Sequence, residues 1–522
     1  MKRRRVKPTV SSGIDLPYPS PRTPCDRLPA LNALLLLVIL NFVLQPLTEP
    51  DLGWHLRTGL DFLNQGWRLP TLDPYSHTMS DWGWVEHAWL TDVVIGGLYS
   101  LFGGLGIILL FGTITVSAWL LASSLAPCGR AVRWLACILS LWVALPYLGA
   151  RTQLITLLGL AVLLRILKRW QTGQPWIRWC IPPLFLLWAN LHGGFAAGLF
   201  VLGLLIGTTA VIRWMSDRSM LFTSGLDEEL FSWSDLTRLM LITVVSVLVT
   251  FANPYGWRLH VEILDSLSNQ FMLDTVQEWQ PMSISGHAGW SYALYLAGLG
   301  LAMVLWYRRV EPVRWVIGGL FLLLSFRHMR NIPFFLILSL PLCAELLAAG
   351  FRHLGRWLPS EAAMTRSWGL IVTVAAGGML LWLGPEHLQH VVQSGLQPAE
   401  YFRGTSYPIE AVQWVRTHRE LVGQRLLNDY AYGGFLLWWL PEEKIFIDGR
   451  MPAWQRGERR IFQDYVALTG TDHPDLTVLN KYSVDWAMVR KNTLLDRTLA
   501  REGGWIRVYE DHKVSVYRLL SG

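Results

Sequence analysis

Eleven apolar segments, separated by short polar loops, dominate the first 385 residues of the chain. A helix needs about 20 mostly apolar residues to cross a bilayer, and these segments approach that length. They cover residues 30–48, 105–126, 134–149, 152–167, 179–192, 195–212, 238–252, 289–307, 313–326, 332–349 and 367–384. The pattern predicts a polytopic α-helical membrane protein with about 11 transmembrane helices.

Basic residues predict the orientation, because short cytoplasmic loops carry an excess of Lys and Arg. The inner loops would contain Arg130 and Arg133; Lys168, Arg169 and Arg178; Arg213, Arg218 and Arg238; Arg308, Arg309 and Arg314; and Arg352, Arg356 and Arg366. Residues 1–28 are then a cytoplasmic tail, and residues 49–104 form a large first outer loop. This orientation requires that residues 87–102 do not cross the membrane. That segment is short and contains Asp92, so we expect it to lie along the outer interface.

The composition changes after residue 385. The segments RLLND, KIFIDG, DWAMVRK, WIRVYED and KVSVYRL have the pattern of short strands, and they alternate with helical patterns such as IEAVQWVRTHREL and RTLAREG. This alternation is typical of a small α/β domain. The predicted organisation is therefore a tail (1–28), a transmembrane domain (29–385) and a small soluble α/β domain on the extracytoplasmic side (386–522).

Composition and charge support a membrane location. Of the 522 residues, 52% are hydrophobic and 28 are tryptophan, which is unusual for a soluble protein. In a soluble protein, the net charge of +7 would suggest nucleic-acid binding, but here the basic residues lie between apolar segments. We therefore expect membrane lipids and no nucleic acid as partners, in the cell (inner) membrane. The five cysteines form no disulfide or CxxC pattern.

The segment DLGWHLRTG begins directly after the first apolar segment. Asp51 and His55 are four residues apart and share one face of an expected helix, with leucines on the opposite face. We expect this amphipathic helix to rest on the outer membrane surface and to hold Asp51 toward the mouth of the bundle. The alternative is that Asp51 only caps the helix.

The same loop adds Asp73, His77, Glu86 and His87. Carboxylates and imidazoles at this density could hold a divalent cation such as Mg²⁺ or Mn²⁺, with Asp51 and His55 as metal ligands, or could tune one carboxylate as a general base. Their spacing matches no strong metal signature. Asp73 is expected to form an Asx turn. For Glu86 and His87 the sequence leaves two alternatives, a catalytic role and a structural role.

Arginines and polar turns add candidates for binding. Arg57, Arg151, Arg327 and Arg330 lie on the predicted outer face, where topology does not require them. Guanidinium groups bind phosphate in a bidentate manner, so these four are predicted to bind a donor phosphate; the alternative is that they snorkel to lipid headgroups. Candidates for acceptor or accessory roles are His192, Glu278, Asp429, Tyr430, Asp448 and Arg450. For Glu278 the alternative is a solvated loop acid, and Asp448 and Arg450 could simply pair across a turn.

Several motifs resemble the GT-C superfamily of integral-membrane glycosyltransferases. They are D-x-x-W-H-L-x-x-G from Asp51, the LHGG turn at 191–194, and N-D-x-x-x-G-G-F and F-I-D-G-R near the end of the chain. The superfamily includes protein mannosyltransferases, the aminoarabinose transferase of lipid A and the catalytic subunit of oligosaccharyltransferase. Its second-loop acid has no match, since GARTQL offers Arg151 instead.

The resemblance implies transfer of a sugar from a polyprenyl-phosphate or pyrophosphate donor to a glycan, lipid or protein acceptor on the outer face. Asp51 would be the base or would hold a metal ion, with His55, Glu86 and His87 as further candidate catalytic residues. Three alternatives stand beside this enzyme: a transporter or flippase of lipid-linked sugars, a polysaccharide polymerase or ligase, and a non-catalytic assembly factor. A transporter would carry its charges mid-span, and a polymerase usually has its large loop late in the chain.

Overall fold

The computed structural model describes residues 29–218, 230–284, 286–306, 312–355, 361–470 and 473–520. The predicted cytoplasmic tail, residues 1–28, lies outside these ranges. Helices dominate the described residues up to 396. They are α1 (Pro29–Val43), α2 (Leu52–Asn64), α3 (Trp89–Phe102), α4 (Gly104–Ser123), α5 (Arg130–Ala144), α6 (Gln153–Gln171), α7 (Ile181–Leu191), α8 (Phe195–Asp217), α9 (Trp233–Val249), α10 (Trp257–Ser268), α11 (Gln270–Thr275), α12 (His287–Trp306), α13 (Pro312–Arg327), α14 (Ile332–Gly355) and α15 (Glu361–Leu396).

Each of the eleven predicted apolar segments overlaps one helix: α1, α4 to α9, or α12 to α15. Within the described ranges, four stretches are both long and apolar enough to cross a bilayer: Gly104–Ser123, Phe195–Asp217, Ala288–Leu305 and Met329–Phe351. The chain is therefore a helical membrane protein, as predicted. The number of crossings and their orientation stay predictions.

Within the bundle, large side chains pack against small ones. The indole of Trp188 in α7 lies against Gly159 of α6 and Gly198 of α8, where an added Cβ would approach the ring to 2.7 Å. Its Nε1 donates a hydrogen bond to Thr156 Oγ1 at 3.2 Å. Small residues that let helices approach closely are common in membrane bundles. This contact fixes the end of α7, which leads into the LHGG turn.

The rest of the chain combines short helices with one sheet. The helices are α16 (Pro398–Arg403), α17 (Ile409–Thr417), α18 (Gly433–Trp439), α19 (Ile461–Thr469), α20 (Thr477–Lys481) and α21 (Leu494–Leu499), and the strands are β1 (Leu426–Asn428), β2 (Trp486–Arg490), β3 (Trp505–Glu510) and β4 (Val514–Leu519). The strand order is β1-β2-β4-β3, with β1 and β2 parallel and the other pairs antiparallel. Four of the five predicted strand segments thus form one sheet, interleaved with helices.

The prediction of a strand at KIFIDG is wrong. Ile445 forms an isolated bridge with Ser76 of the first loop. Its N–H donates to the carbonyl of Tyr75 at 3.0 Å, and its carbonyl accepts from the N–H of His77 at 3.1 Å. The segment is extended and apolar as a strand would be, but its hydrogen bonds go to a distant loop, which a local pattern does not reveal.

The first loop and the C-terminal region share one hydrophobic core. Trp54, Tyr75 and Trp84 of the loop are buried together with apolar side chains of the C-terminal region such as Phe446 and Trp454. A second core lies inside the helical bundle. The loop therefore packs against the C-terminal region as well as against the bundle.

Helix α2, predicted as amphipathic, is buried on more sides than a helix on a membrane surface would be. Glycines bring its backbone into direct contact with two partners. A Cβ on Gly53 would lie 1.8 Å from the carbonyl oxygen of Gly434 in α18, and a Cβ on Gly96 of α3 would lie 2.7 Å from the carbonyl carbon of Gly59. Because α18 comes from the C-terminal region, the local sequence of α2 could not indicate this burial.

Candidate active site at the start of the first loop

Asp51 lies between α1 and α2 and is half-buried. It occupies the N-cap position of α2, yet its side chain accepts no capping hydrogen bond. The contacts therefore do not support the alternative that Asp51 only caps the helix. A Cβ on Gly449 would lie 2.0 Å from Oδ1 of Asp51, so the carboxylate packs directly against the Gly449 backbone. Burial raises the pKa of Asp51, and the nearby Glu278 raises it further. A carboxylate with a raised pKa is a stronger base than an exposed one.

Arg151 joins two acids beside Asp51. Its guanidinium pairs with Glu49 through Nε and with Glu278 through Nη1, the latter at 2.9 Å. Burial opposes the charge, but the two acids raise the pKa of Arg151 above its ordinary value, so it stays cationic. Burial also raises the pKa of Glu49, to about 7, although Arg151 opposes this. We call Glu49, Asp51, Arg151 and Glu278 the mouth cluster.

Tyr430, in the C-terminal region, lies near Asp51 of the mouth cluster. Burial raises the pKa of its phenol well above the ordinary value, and Asp51 and Asp448 add to the effect. The phenol therefore stays protonated and can donate a hydrogen bond. The backbone N–H of Tyr430 donates to the hydroxyl of Tyr465 at 3.0 Å, and the Tyr430 ring packs against Phe462 at a centroid distance of 5.2 Å.

His55 points toward α3. Its Nδ1 lies 2.6 Å from Oδ1 of Asp92, its Nε2 lies 3.4 Å from Oγ1 of Thr152, and its ring stacks on Trp54 at 3.5 Å. Burial lowers the pKa of His55 to about 3, so the imidazole is neutral near pH 7. Glu86 is buried close by, and its Oε1 accepts from the N–H of Ala88 at 2.9 Å. The structure thus brings together two predicted catalytic residues, His55 and Glu86.

His87 and His192 also meet, with ring centroids 5.6 Å apart. Nδ1 of His192 accepts from the N–H of Gly194 at 3.1 Å and lies 2.8 Å from the hydroxyl of Thr156. Burial lowers the pKa of both imidazoles, that of His87 to about 3. Both rings are therefore neutral, and neither supplies a positive charge for a phosphate.

The four predicted phosphate-binding arginines separate into two groups. Arg151 contacts Glu278, and Arg330 stacks over the ring of Trp279 at 4.7 Å. These two therefore converge on one short segment beside Asp51. Arg57 donates to Asp61 at 2.8 Å and to the carbonyl of Pro441 at 3.0 Å, and Arg327 is exposed at the end of α13.

Asp448, a candidate for an acceptor or accessory role, is paired with Arg450. Arg450 bonds Asp448 through Nε at 2.8 Å and Asp73 through Nη1 at 2.9 Å. Pairing across the turn, the alternative for Asp448 and Arg450, is thus present. Asp73 also accepts from the N–H of Tyr75 and Ser76, which confirms the Asx turn.

Asp429 accepts from the N–H of Ala431 at 3.0 Å and pairs with Arg490 at 3.0 Å. Its carboxylate therefore has a capping role and a charged partner within the C-terminal region.

The sequence reasoning missed two residues of the site. Glu49 was available in TEPD, two positions before Asp51, but its partner Arg151 is 102 residues away. In the sequence, Asp92 stands out only as an acid inside an apolar segment. An acid in such a segment needs a polar partner, and that signal could have pointed to His55.

The mouth cluster does not suit the divalent cation that the resemblance allows. An ion held by Asp51 would compete for Glu49 and Glu278 with the guanidinium of Arg151, which already bonds both. His55 is turned to Asp92 and does not share a site with Asp51. Across the described ranges, the ligand atoms that converge within 4.8 Å belong to His55, Glu86 and Asp92.

No protein-family model matches the sequence, and no curated protein matches it. Solved structures do match. The oligosaccharyltransferase of Archaeoglobus fulgidus, tethered to an acceptor peptide with an NVT sequon, gives a TM-score of 0.50 at 12% identity, over 88% of this chain and 68% of that one. The chain has a GT-C fold. The aminoarabinose transferase ArnT from Cupriavidus metallidurans, in its apo state, gives a TM-score of 0.50 at 15% identity, over 93% of this chain and 96% of that one.

Proposed function

We propose that the chain is a glycosyltransferase with Asp51 as its base. It moves a sugar from a polyprenyl-phosphate or polyprenyl-pyrophosphate donor to an acceptor on the outer face of the membrane. The observation that carries this proposal is the mouth cluster itself: in a chain with a GT-C fold, a half-buried carboxylate of raised pKa lies between α1 and α2, beside an arginine held by two acids.

In the proposed step, Asp51 takes the proton of an acceptor hydroxyl or amine. The acceptor atom then bonds to the anomeric carbon, while the bond from that carbon to the phosphate oxygen breaks. The electron pair leaves with the polyprenyl phosphate or pyrophosphate. General-base catalysis of this kind contributes about 10² to 10⁴ in rate.

The leaving phosphate gains negative charge, and arginines beside Asp51 are suited to stabilise it. Arg151 and Arg330 fit this role because both lie at the segment that contains Glu278 and Trp279. Arg151 would exchange one of its carboxylate bonds for a phosphate oxygen. The protonated phenol of Tyr430 would donate a hydrogen bond to the sugar or the acceptor.

The donor also explains why the site lies where it does. A polyprenyl chain is soluble only in the membrane, so its phosphate is delivered at the end of the spanning helices, where the mouth cluster lies. In the proposed orientation the N-terminus is cytoplasmic, and residues 386–522 and the site face outward. The membrane is the cell (inner) membrane, and the acceptor is a glycan, a lipid or a protein.

The test replaces the base with its isosteric amide. Cells that lack the native protein would express wild type, Asp51→Asn or Asp265→Asn, the last being an exposed acid of α10 that serves as the matched control. We expect a polyprenyl-linked sugar to accumulate in lipid extracts of the Asp51→Asn cells, measured by mass spectrometry, with loss of the matching surface glycan. If all three strains contain the same donors and glycans, the proposed function is wrong.

A further inference from the structure

Three ionisable side chains from different elements converge behind Asp51. They are His55 of α2, Glu86 of the segment before α3, and Asp92 of α3, with exposed fractions of 3%, 1% and 0%. One ligand atom from each lies within 4.8 Å of the others. We call this set the inner cluster. The catalytic step proposed above does not use it.

The inner cluster has more hydrogen-bond acceptors than donors. One oxygen of each carboxylate has a partner: Oε1 of Glu86 accepts from Ala88, and Oδ1 of Asp92 contacts His55. The other two oxygens, Oε2 of Glu86 and Oδ2 of Asp92, are buried and have no hydrogen-bond partner. Buried carboxylate oxygens without partners cost free energy, so the arrangement indicates a bound positive species.

We propose that His55, Glu86 and Asp92 bind one divalent transition-metal ion such as Zn²⁺ or Mn²⁺. One neutral imidazole and two carboxylates suit such an ion, and the two negative charges balance its charge in a buried site. The competing occupant is a proton shared between the two carboxyl groups. Glu86 suits that occupant as well, because burial raises its pKa well above the ordinary value.

Metal binding requires only a small movement of His55 relative to Asp92. Nδ1 of His55 and Oδ1 of Asp92 are 2.6 Å apart. Two ligands of a tetrahedral ion with bonds of about 2.0–2.1 Å are separated by about 3.3 Å. Trp54, stacked on the ring, and Thr152, beside Nε2, hold the imidazole with Nδ1 toward the cluster, as outer partners of metal-ligating histidines do.

The ion would be structural, and it would position Asp51 through α2. Its ligands come from α2, from the segment before α3 and from α3 itself, and these two helices touch where Gly59 meets Gly96. Asp51 precedes the first turn of α2 and is not a ligand. Metal content and catalytic activity are therefore separable measurements.

The experiment measures metal in the full-length chain, purified in detergent and washed free of loosely bound ions, by mass spectrometry. Wild type, Asp51→Asn and Asp265→Asn should each retain about one ion per chain. Asp92→Asn and Glu86→Gln, which keep the side-chain shape and remove the charge, should retain less than a tenth of that. A chelator should lower the melting temperature of wild type, and Zn²⁺ or Mn²⁺ should restore it.

Two results would overturn the proposal. One is wild-type protein that holds no ion after growth with added Zn²⁺ and Mn²⁺, and whose melting temperature responds to neither chelator nor metal. The other is the same metal content in Asp92→Asn and Glu86→Gln as in wild type. If these variants do not fold, the melting temperature of wild type after chelation and after reloading with metal tests the proposal without them. Loss of activity in Asp51→Asn with its ion retained would leave both proposals intact, whereas retained activity in Asp51→Asn would overturn only the proposed function.

Discussion

Asp51 differs from a surface acid because two features disfavour its charged form. Its carboxylate is packed against Gly449, which removes water, and it faces the negative Glu278. Both raise its pKa, and a base must be deprotonated to accept a proton. The transfer rate should therefore rise with pH through the pKa of Asp51.

Glu278→Gln should move the acid limb of the pH profile of kcat/KM to lower pH. The substitution removes a negative charge that raises the pKa of Asp51, and it frees one bond of Arg151, a cation that would lower that pKa further. The measurement follows consumption of polyprenyl-linked sugar by the purified protein between pH 4 and 8, a window in which carboxylates of raised pKa titrate. Glu400→Gln, at an exposed acid of α16, is the control and should leave the limb in place. A limb that stays in place or moves upward in Glu278→Gln would contradict the role given to Glu278.

The sequence could identify Asp51 because an acid and an imidazole directly after an apolar segment have no role in topology. It could also identify Arg151 and Arg330 as cations on the predicted outer face. It could not show that Arg151 bonds Glu49 and Glu278, because those contacts join loops far apart in the chain. Which polar residues come together depends on how the helices pack, and the spacing within one segment carries no information about that.

At the scale of elements, α2 is held between α3 and α18 by backbone contacts at glycines. This explains why the segment that carries Asp51 and His55 contains Gly53 and Gly59 although it forms a helix. Period and length were enough to predict α2, the bundle helices and four strands. They were not enough for KIFIDG, since an extended apolar segment looks the same whether it pairs with a sheet or with a loop.

Gly96→Ala and Gly97→Ala form a matched pair for testing this packing. A Cβ at Gly96 would lie 2.7 Å from the backbone of Gly59, whereas a Cβ at Gly97 meets nothing within 4 Å. Alanine favours a helix over glycine by about 1 kcal/mol, so Gly97→Ala should keep or raise the melting temperature in detergent. Gly96→Ala should lower it, because forcing apart packed elements costs about 1–3 kcal/mol. Equal melting temperatures for the two variants would show that α2 and α3 are not in close contact.

For the whole molecule, loop segments that the prediction places on the outer face contact one another. Glu49 after α1, Arg151 before α6 and Glu278 before α12 meet in one cluster. The N–H of Met329, after α13, donates to the carbonyl of Gln280 at 2.9 Å. These four segments therefore lie together in the fold, while the number of crossings and their orientation stay predictions. The C-terminal region closes over this end by sharing a core with the first loop.

Arg450 is the ionic part of that closure, and its removal should loosen the first loop from the C-terminal region. Its side chain is 3% exposed between Asp73 and Asp448 and stacks on Trp84 at 4.8 Å. Arg450→Ala would leave two buried carboxylates without their cation, which costs about 3–5 kcal/mol. The amide hydrogens of His77 and Ile445, which bridge the two regions, should then exchange with solvent faster.

The control is Arg416→Ala, since Arg416 pairs with Glu442 at the surface, where both side chains are more than 40% exposed. An exposed pair contributes about 0–1 kcal/mol, so exchange at His77 and Ile445 should stay at the wild-type rate. Hydrogen exchange followed by mass spectrometry of the peptides around both residues measures the difference. Unchanged protection of these amide hydrogens in Arg450→Ala would mean that the apolar core alone holds the loop. The loss of the buried cation would then not weaken the hydrogen bonds of His77 and Ile445.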